Sequence, residues 1–181
     1  MIENGVKGGE EGMVVHPIAP IFDAHSRVLI LGSFPSEVSR QVGFYYGHPR
    51  NRFWKVVSAL FETDEPDGTE AKRAFLLRHQ IALWDVIASC DIEKSADASI
   101  RNVVVNDIGR ILSQAEIQAI FVNGKTAERY YNRYLFPMLN REATVLPSTS
   151  PANASWSVDR LTAAWKEALN PYITERKRET L

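Results

Sequence analysis

At 181 residues, with 45% hydrophobic and 24% charged side chains, the chain has the size and composition of one globular domain with a sizeable core. Its 21 Lys+Arg against 22 Asp+Glu, a net charge of −1, exclude a uniformly basic nucleic-acid coat but leave room for a local basic patch. The single cysteine, Cys90, excludes an internal disulfide, and no Cys/His cluster has zinc-ligand spacing, so neither a metal nor another cofactor is expected.

Residues 1–15 read as a flexible tail, 16–174 as one domain and 175–181 as a charged C-terminal tail. The start of the chain is rich in glutamate and glycine and lacks the apolar stretch of a signal peptide. No apolar run approaches the roughly 20 residues of a membrane span. A monomeric cytoplasmic protein is the expectation. Short apolar runs at 28–31, 81–86, 119–122 and 144–146 read as strands buried on both faces. Helical spacing falls between and after them, at 51–61, 70–79, 106–114, 126–134 and 158–169. This alternation predicts an α/β fold, a three-layer sandwich whose short, mainly parallel central sheet is flanked by helices. Ligands of such sheets bind beyond the carboxyl ends of the strands. Three expected loops meet there, at 32–50, 87–100 and 147–155.

The first loop is "GSFPSEVSRQVGFYYGHPR", unusually aromatic and basic for a surface segment. It is neither G-x-G-x-x-G nor a Walker loop, and "NGKTA" at 123–127 lacks the upstream glycine of one. No G-x-S-x-G elbow occurs, and no histidine follows His79, which argues against a serine hydrolase. Rings that stack on a base, amides and hydroxyls that read its edge, and arginines that hold phosphates are what the three loops offer.

These residues carry a family resemblance. "LGSFPSEVSRQVGFYYGHPRNRFWKVV" (31–57), "LWDVIASCDIEKSADASI" (83–100) and "LPSTSPANAS" (146–155) resemble, in order and spacing, the uracil-DNA glycosylase superfamily. The hypoxanthine-DNA (deoxyinosine) branch is the most similar, and the first loop is also similar to the mismatch-specific uracil-DNA glycosylases. The resemblance implies a DNA repair enzyme that flips a deaminated base out of DNA and hydrolyses its N-glycosidic bond. Hypoxanthine is the first expected base and uracil the second. No lysine stands in a site motif as a Schiff-base nucleophile, so a monofunctional glycosylase is expected. The rivals are a non-catalytic nucleic-acid-binding module on the same fold and a small-molecule nucleosidase.

The mismatch-specific enzymes position water with an asparagine where this chain has Phe34. The resemblance to the hypoxanthine branch moves that role to Asn51 and leaves Phe34 to pack the pocket floor. Asn51 is also a candidate helix N-cap, and the two roles coexist only if capping does not consume the amide oxygen. Tyr46 matches a base-stacking aromatic, with Phe44 and Tyr45 as rivals. Ser89 and Asp91 are candidates for reading the base edge; Asp91 would accept from the N1–H of hypoxanthine. Arg50, Arg52, Ser148, Thr149, Ser150, Pro151 and Asn153 are candidate DNA contacts. So are Ser33, Pro35 and Ser36, with turn and cap roles as their alternative.

Overall fold

The computed structural model describes residues 12–93 and 96–173. Its seven strands form two sheets. The first strand, β1 (Met13–Val15), is short. The second, β2 (Val28–Gly32), is buried along its whole length. Helices α1 (Glu37–Val42), α2 (Phe53–Leu60) and α3 (Thr69–Arg78) follow. Next come β3 (Ile81–Asp85), β4 (Ile87–Asp91) and β5 (Arg101–Val105). The chain continues through α4 (Gly109–Leu112), β6 (Ala119–Asn123), α5 (Lys125–Tyr130), α6 (Phe136–Leu139), β7 (Ala143–Leu146) and α7 (Val158–Ile173).

The central sheet has the order β3-β2-β6-β7, with every pair parallel. Its inner strands are uninterrupted apolar runs because helices cover both faces. Helix α2 sends Phe53, Trp54, Val56, Val57 and Leu60 into the core and packs on α7. Phe53 meets Trp54 and Trp165 edge-to-face, with centroids 4.9 and 5.9 Å apart. The three-layer α/β expectation is met.

Three expectations change. The expected tail turns at Met13–Val15 into an edge strand, paired antiparallel with β4; residues 1–11 and 174–181 lie outside the described residues. The expected loop at 87–100 is instead largely a strand and a short 3₁₀ turn. After Asp85 the chain leaves the parallel sheet and forms the second sheet, β1-β4-β5. Asn106 fixes that departure, its Nδ2 donating to the carbonyls of Asp85 (2.9 Å) and Ile87 (3.2 Å). Residues 101–105, not among the expected strands, form β5, and the helix expected at 106–114 shrinks to α4. Short β-branched runs satisfy either period, and here sheet pairing prevails.

Candidate active site

A cleft of about 990 Å³ opens beyond the carboxyl ends of the central strands. Its floor begins with a close approach. Gly32 ends β2 directly opposite Asp85, which ends β3. A Cβ on Gly32 would lie 2.2 Å from Asp85 Oδ1 and 3.1 Å from the Tyr46 hydroxyl. Only glycine lets carboxylate, phenol and backbone meet there.

Asp85 is the residue that the sequence did not single out. Its side chain is 6% exposed, and its Oδ2 accepts from His16 Nε2 at 2.6 Å. His16 Nδ1 accepts the Ile18 N–H at 3.1 Å, so the Nε2–H tautomer faces the carboxylate. A neutral imidazole thus holds a buried aspartate. Oδ1 has no hydrogen-bond partner among the described residues. The only sequence signal was the Trp-Asp step at the end of an apolar strand, where a core residue was due.

Tyr46 adopts a left-handed backbone (φ 53°) that turns its ring onto Phe53, stacked at 4.1 Å and 15°. Its hydroxyl accepts from Asn123 Nδ2 at 3.1 Å. Burial first, and then the Asp85 charge, push its pKa well above the ordinary phenol value, so it stays a neutral phenol. Tyr46 lines the cleft with one face already covered by Phe53. Phe34 also lines it; His16 meets its ring edge-on at 5.9 Å, and the Arg40 guanidinium lies over it at 5.5 Å. Of the rival rings, Tyr45 is buried and donates to the Ala19 carbonyl at 2.8 Å, while Phe44 stacks on Trp54.

Asn51 lines the cleft, and its Oδ1 accepts the Phe53 N–H at 2.9 Å. The capping role is therefore present. The oxygen's second lone pair is not claimed by capping, and Nδ2 has no partner among the described residues. One side chain thus caps α2 and lines the cleft.

The last loop is held from beneath. Arg52 donates through Nε to the Thr149 carbonyl (3.4 Å), through one terminal nitrogen to the Trp156 carbonyl, and through the other to the carbonyls of Ser150 (2.7 Å) and Asn153 (3.0 Å). Its guanidinium is spent on protein carbonyls, which corrects its expected role at phosphate. Thr149 is fully buried, its Oγ1 accepting from Asn123 Nδ2 (3.0 Å) and its N–H donating to Asn123 Oδ1 (3.1 Å). Its side chain cannot reach DNA, a second correction. Asn123 thereby clamps the first loop to the last. Gly124 beside it has φ 93°, and a Cβ there would lie 2.9 Å from Ser148 Cβ.

Ser148, Ser150, Pro151 and Asn153 line the cleft. Ser148 Oγ accepts from the Ser150 N–H (3.1 Å), and Asn153 Nδ2 donates to the Ser148 carbonyl (3.0 Å), so the loop arrives preformed. Trp156, missed in the sequence, completes that wall, with the Arg160 guanidinium 3.8 Å from its ring centroid. Ser33 and Ser36 also line the cleft, and Ser36 caps α1 by accepting the Ser39 N–H at 3.1 Å. Pro35 is buried, its carbonyl accepting from Arg40 at 2.8 Å. Arg50 is exposed next to Asn51 and is not part of the lining.

Ser89 and Asp91 are placed elsewhere. Both lie on β4; Ser89 pairs with Val15 and Val104, and Asp91 accepts from Asn102 Nδ2 at 2.6 Å. Neither lines the cleft. The reason is the early turn at Val86, which carries β4 into the second sheet; Asp85 ends the part of β3 that lines the cleft, and the chain rejoins the lining only at Ile92 and Asp97.

Comparison with known proteins agrees with this geometry. The family model of the uracil DNA glycosylase superfamily matches residues 19–174. A hypoxanthine DNA glycosylase from Methanosarcina acetivorans is 33% identical over 150 residues, covering 82% of this chain and 94% of the relative. One from Methanosarcina barkeri is 30% identical over 151 residues, with the same coverage of 82% and 94%. The solution NMR structure of a Methanosarcina acetivorans protein, provisionally named a uracil DNA glycosylase, superposes with a TM-score of 0.73 at 31% identity. It covers 85% of this chain and 95% of that one.

Proposed function

Given that the chain belongs to the uracil DNA glycosylase superfamily, we propose that this DNA glycosylase excises hypoxanthine from deoxyinosine by hydrolysing its N-glycosidic bond. A base inside a duplex cannot reach a cleft floor, so the nucleotide is flipped out first. Glycosidic cleavage passes through an oxocarbenium-like sugar, for which a weak but well-placed nucleophile suffices. In this reading Asn51 presents its remaining lone pair to the attacking water. Phe34, Tyr46 and Trp156 supply apolar walls for the base. Arg50 and the exposed backbone of the last loop hold phosphates on either side.

The relatives point to hypoxanthine, and the observation that carries a deaminated base over adenine is Asp85. Its side chain is largely buried, it lines the cleft, and its Oδ1 has no hydrogen-bond partner among the described residues. Because His16 Nε2 donates to the other oxygen, the carboxylate is held as an acceptor. Hypoxanthine presents N1–H to such a group. Adenine presents a bare lone pair at N1, and two facing acceptors repel. The role first expected of Asp91 passes to Asp85, one strand end earlier. Leaving a buried polar group unpaired costs about 1–3 kcal/mol, enough to exclude the normal purine many-fold.

The experiment is a panel of oligonucleotides carrying hypoxanthine, uracil, xanthine or adenine, scored for abasic sites with wild type and with Asp85→Asn. Deoxyinosine should be the best wild-type substrate, and Asp85→Asn should lower its excision tenfold or more. A preference for uracil, whose N3–H would also satisfy Asp85, would overturn the base assignment. Binding without any excision would favour a non-catalytic module.

A further inference from the structure

Helix α5 runs without interruption into a π-helical turn, Tyr131–Leu135, and then into α6. Three cations recur along this rod at four-residue spacing: Lys125, Arg129 and Arg133. All three are exposed, and among the described residues none forms an ion pair. Glu128 is the only acidic side chain from Lys125 to Leu139, so this segment is locally positive in a chain of net charge −1.

The arginines are held rather than loose. Tyr130 and Tyr134 stack nearly parallel, at 6.3 Å and 8°. Arg129 lies over Tyr130 at 5.0 Å, and Arg133 over Tyr134 at 5.1 Å. A guanidinium lying on a ring keeps its charge and its outward donors, and loses less side-chain freedom on binding than a free one. The stripe also has a direction. Lys125 lines the cleft, and each four-residue step carries the next cation about 6 Å further from it.

We propose that Lys125, Arg129 and Arg133 form a phosphate-tracking stripe that holds the duplex flanking the flipped nucleotide. The occupant is DNA backbone, because regularly placed exposed cations that start at the lip of a DNA cleft complement a regularly charged polymer. The inference rests on the DNA-glycosylase reading but not on which base is removed. It gives a chain without net positive charge a second, sequence-independent grip.

The test measures affinity for a long duplex against salt concentration. Each phosphate neutralised contributes about 0.9 to the slope of log affinity on log salt. The double variant Arg129→Gln/Arg133→Gln should therefore flatten the slope by about 1.8. Arg129→Lys/Arg133→Lys, which keeps both charges, should restore it. Arg27→Gln, the same charge change just before β2 at the far end of the sheet, should leave the slope unaltered. Thermal midpoints of all variants separate misfolding from lost contacts. An unchanged slope in a folded Gln double variant, or the same loss in Arg27→Gln, overturns the stripe while leaving the glycosylase reading intact. Flattening with no excision of hypoxanthine supports the stripe and overturns only the base assignment. Absence of wild-type DNA binding overturns both.

Discussion

Asn51 caps the Phe53 N–H with its amide oxygen and lines the cleft, so on the proposed reading Asn51→Ala removes two things that can be measured apart. Loss of the cap should lower stability by about 1 kcal/mol. Loss of a positioned hydrogen bond to the attacking water should raise the barrier by about 2–4 kcal/mol, by analogy with other preorganised donors and acceptors. Single-turnover excision at saturating enzyme should thus fall at least a hundredfold while DNA affinity survives. A variant that loses only stability would reduce Asn51 to a cap. Gly32 is tested in the opposite sense, by adding an atom. Gly32→Ala places a methyl group against Asp85 Oδ1 and the Tyr46 hydroxyl, two groups fixed by His16 and Asn123. Neither can retreat freely, so this one carbon should cost about 1–3 kcal/mol of stability and should also reduce excision. A fully active, fully stable Gly32→Ala would show that the floor is softer than its contacts imply.

At the scale of elements, the last loop depends on Arg52 at the start of α2. One guanidinium satisfies carbonyls of Thr149, Ser150, Asn153 and Trp156. Lysine keeps the charge but not the planar fork. Arg52→Lys should therefore loosen residues 147–156, seen as faster amide hydrogen exchange there, with little change in the central sheet. If Arg52 instead bound phosphate, exchange in the free protein would be unaffected and only the salt dependence of DNA binding would shift. Part of this arrangement was legible beforehand. The strand–helix alternation and the three converging segments follow from apolar periodicity, and the motif around Asn51 marks the cleft. The role of Arg52 was not legible, because a basic residue in a basic loop reads as a rim until its partners are known. Asp85 was hidden for a related reason: the strand was expected to run on to Val86, and the turn that ends it rests on the Asn106 side chain, some twenty positions later.

For the whole molecule, sequence periodicity conveyed the parallel layer but not the second sheet, because β1 precedes any apolar periodicity and, among the described residues, pairs only with β4. That strand leads straight into His16, so the edge sheet and the cleft floor are mechanically joined through the His16–Asp85 contact. The same buried centre sets a dependence on pH. Tyr45 and Tyr46 are both pushed well above the ordinary phenol value, by burial and then by the nearby Asp85 charge. Burial likewise raises the Cys90 thiol to about 11. In the unfolded chain these groups release protons near their ordinary values, about 8.5 for the thiol and about 10 for the phenols. Above those values the unfolded state binds fewer protons than the folded one, so stability falls as pH rises. It is unaffected by these groups below about pH 8. Chemical denaturation followed from pH 7 to 11 should show a midpoint that declines from about pH 9 and more steeply above 10. Tyr45→Phe separates the contributions. It leaves the Ala19 carbonyl without its 2.8 Å donor, so the variant should be the less stable protein at pH 7, by about 1 kcal/mol. Having one fewer phenol to ionise on unfolding, it should lose less between pH 9 and 11, and the two curves should converge. Parallel curves across that range would mean that the Tyr45 hydroxyl ionises as readily inside the fold as outside it.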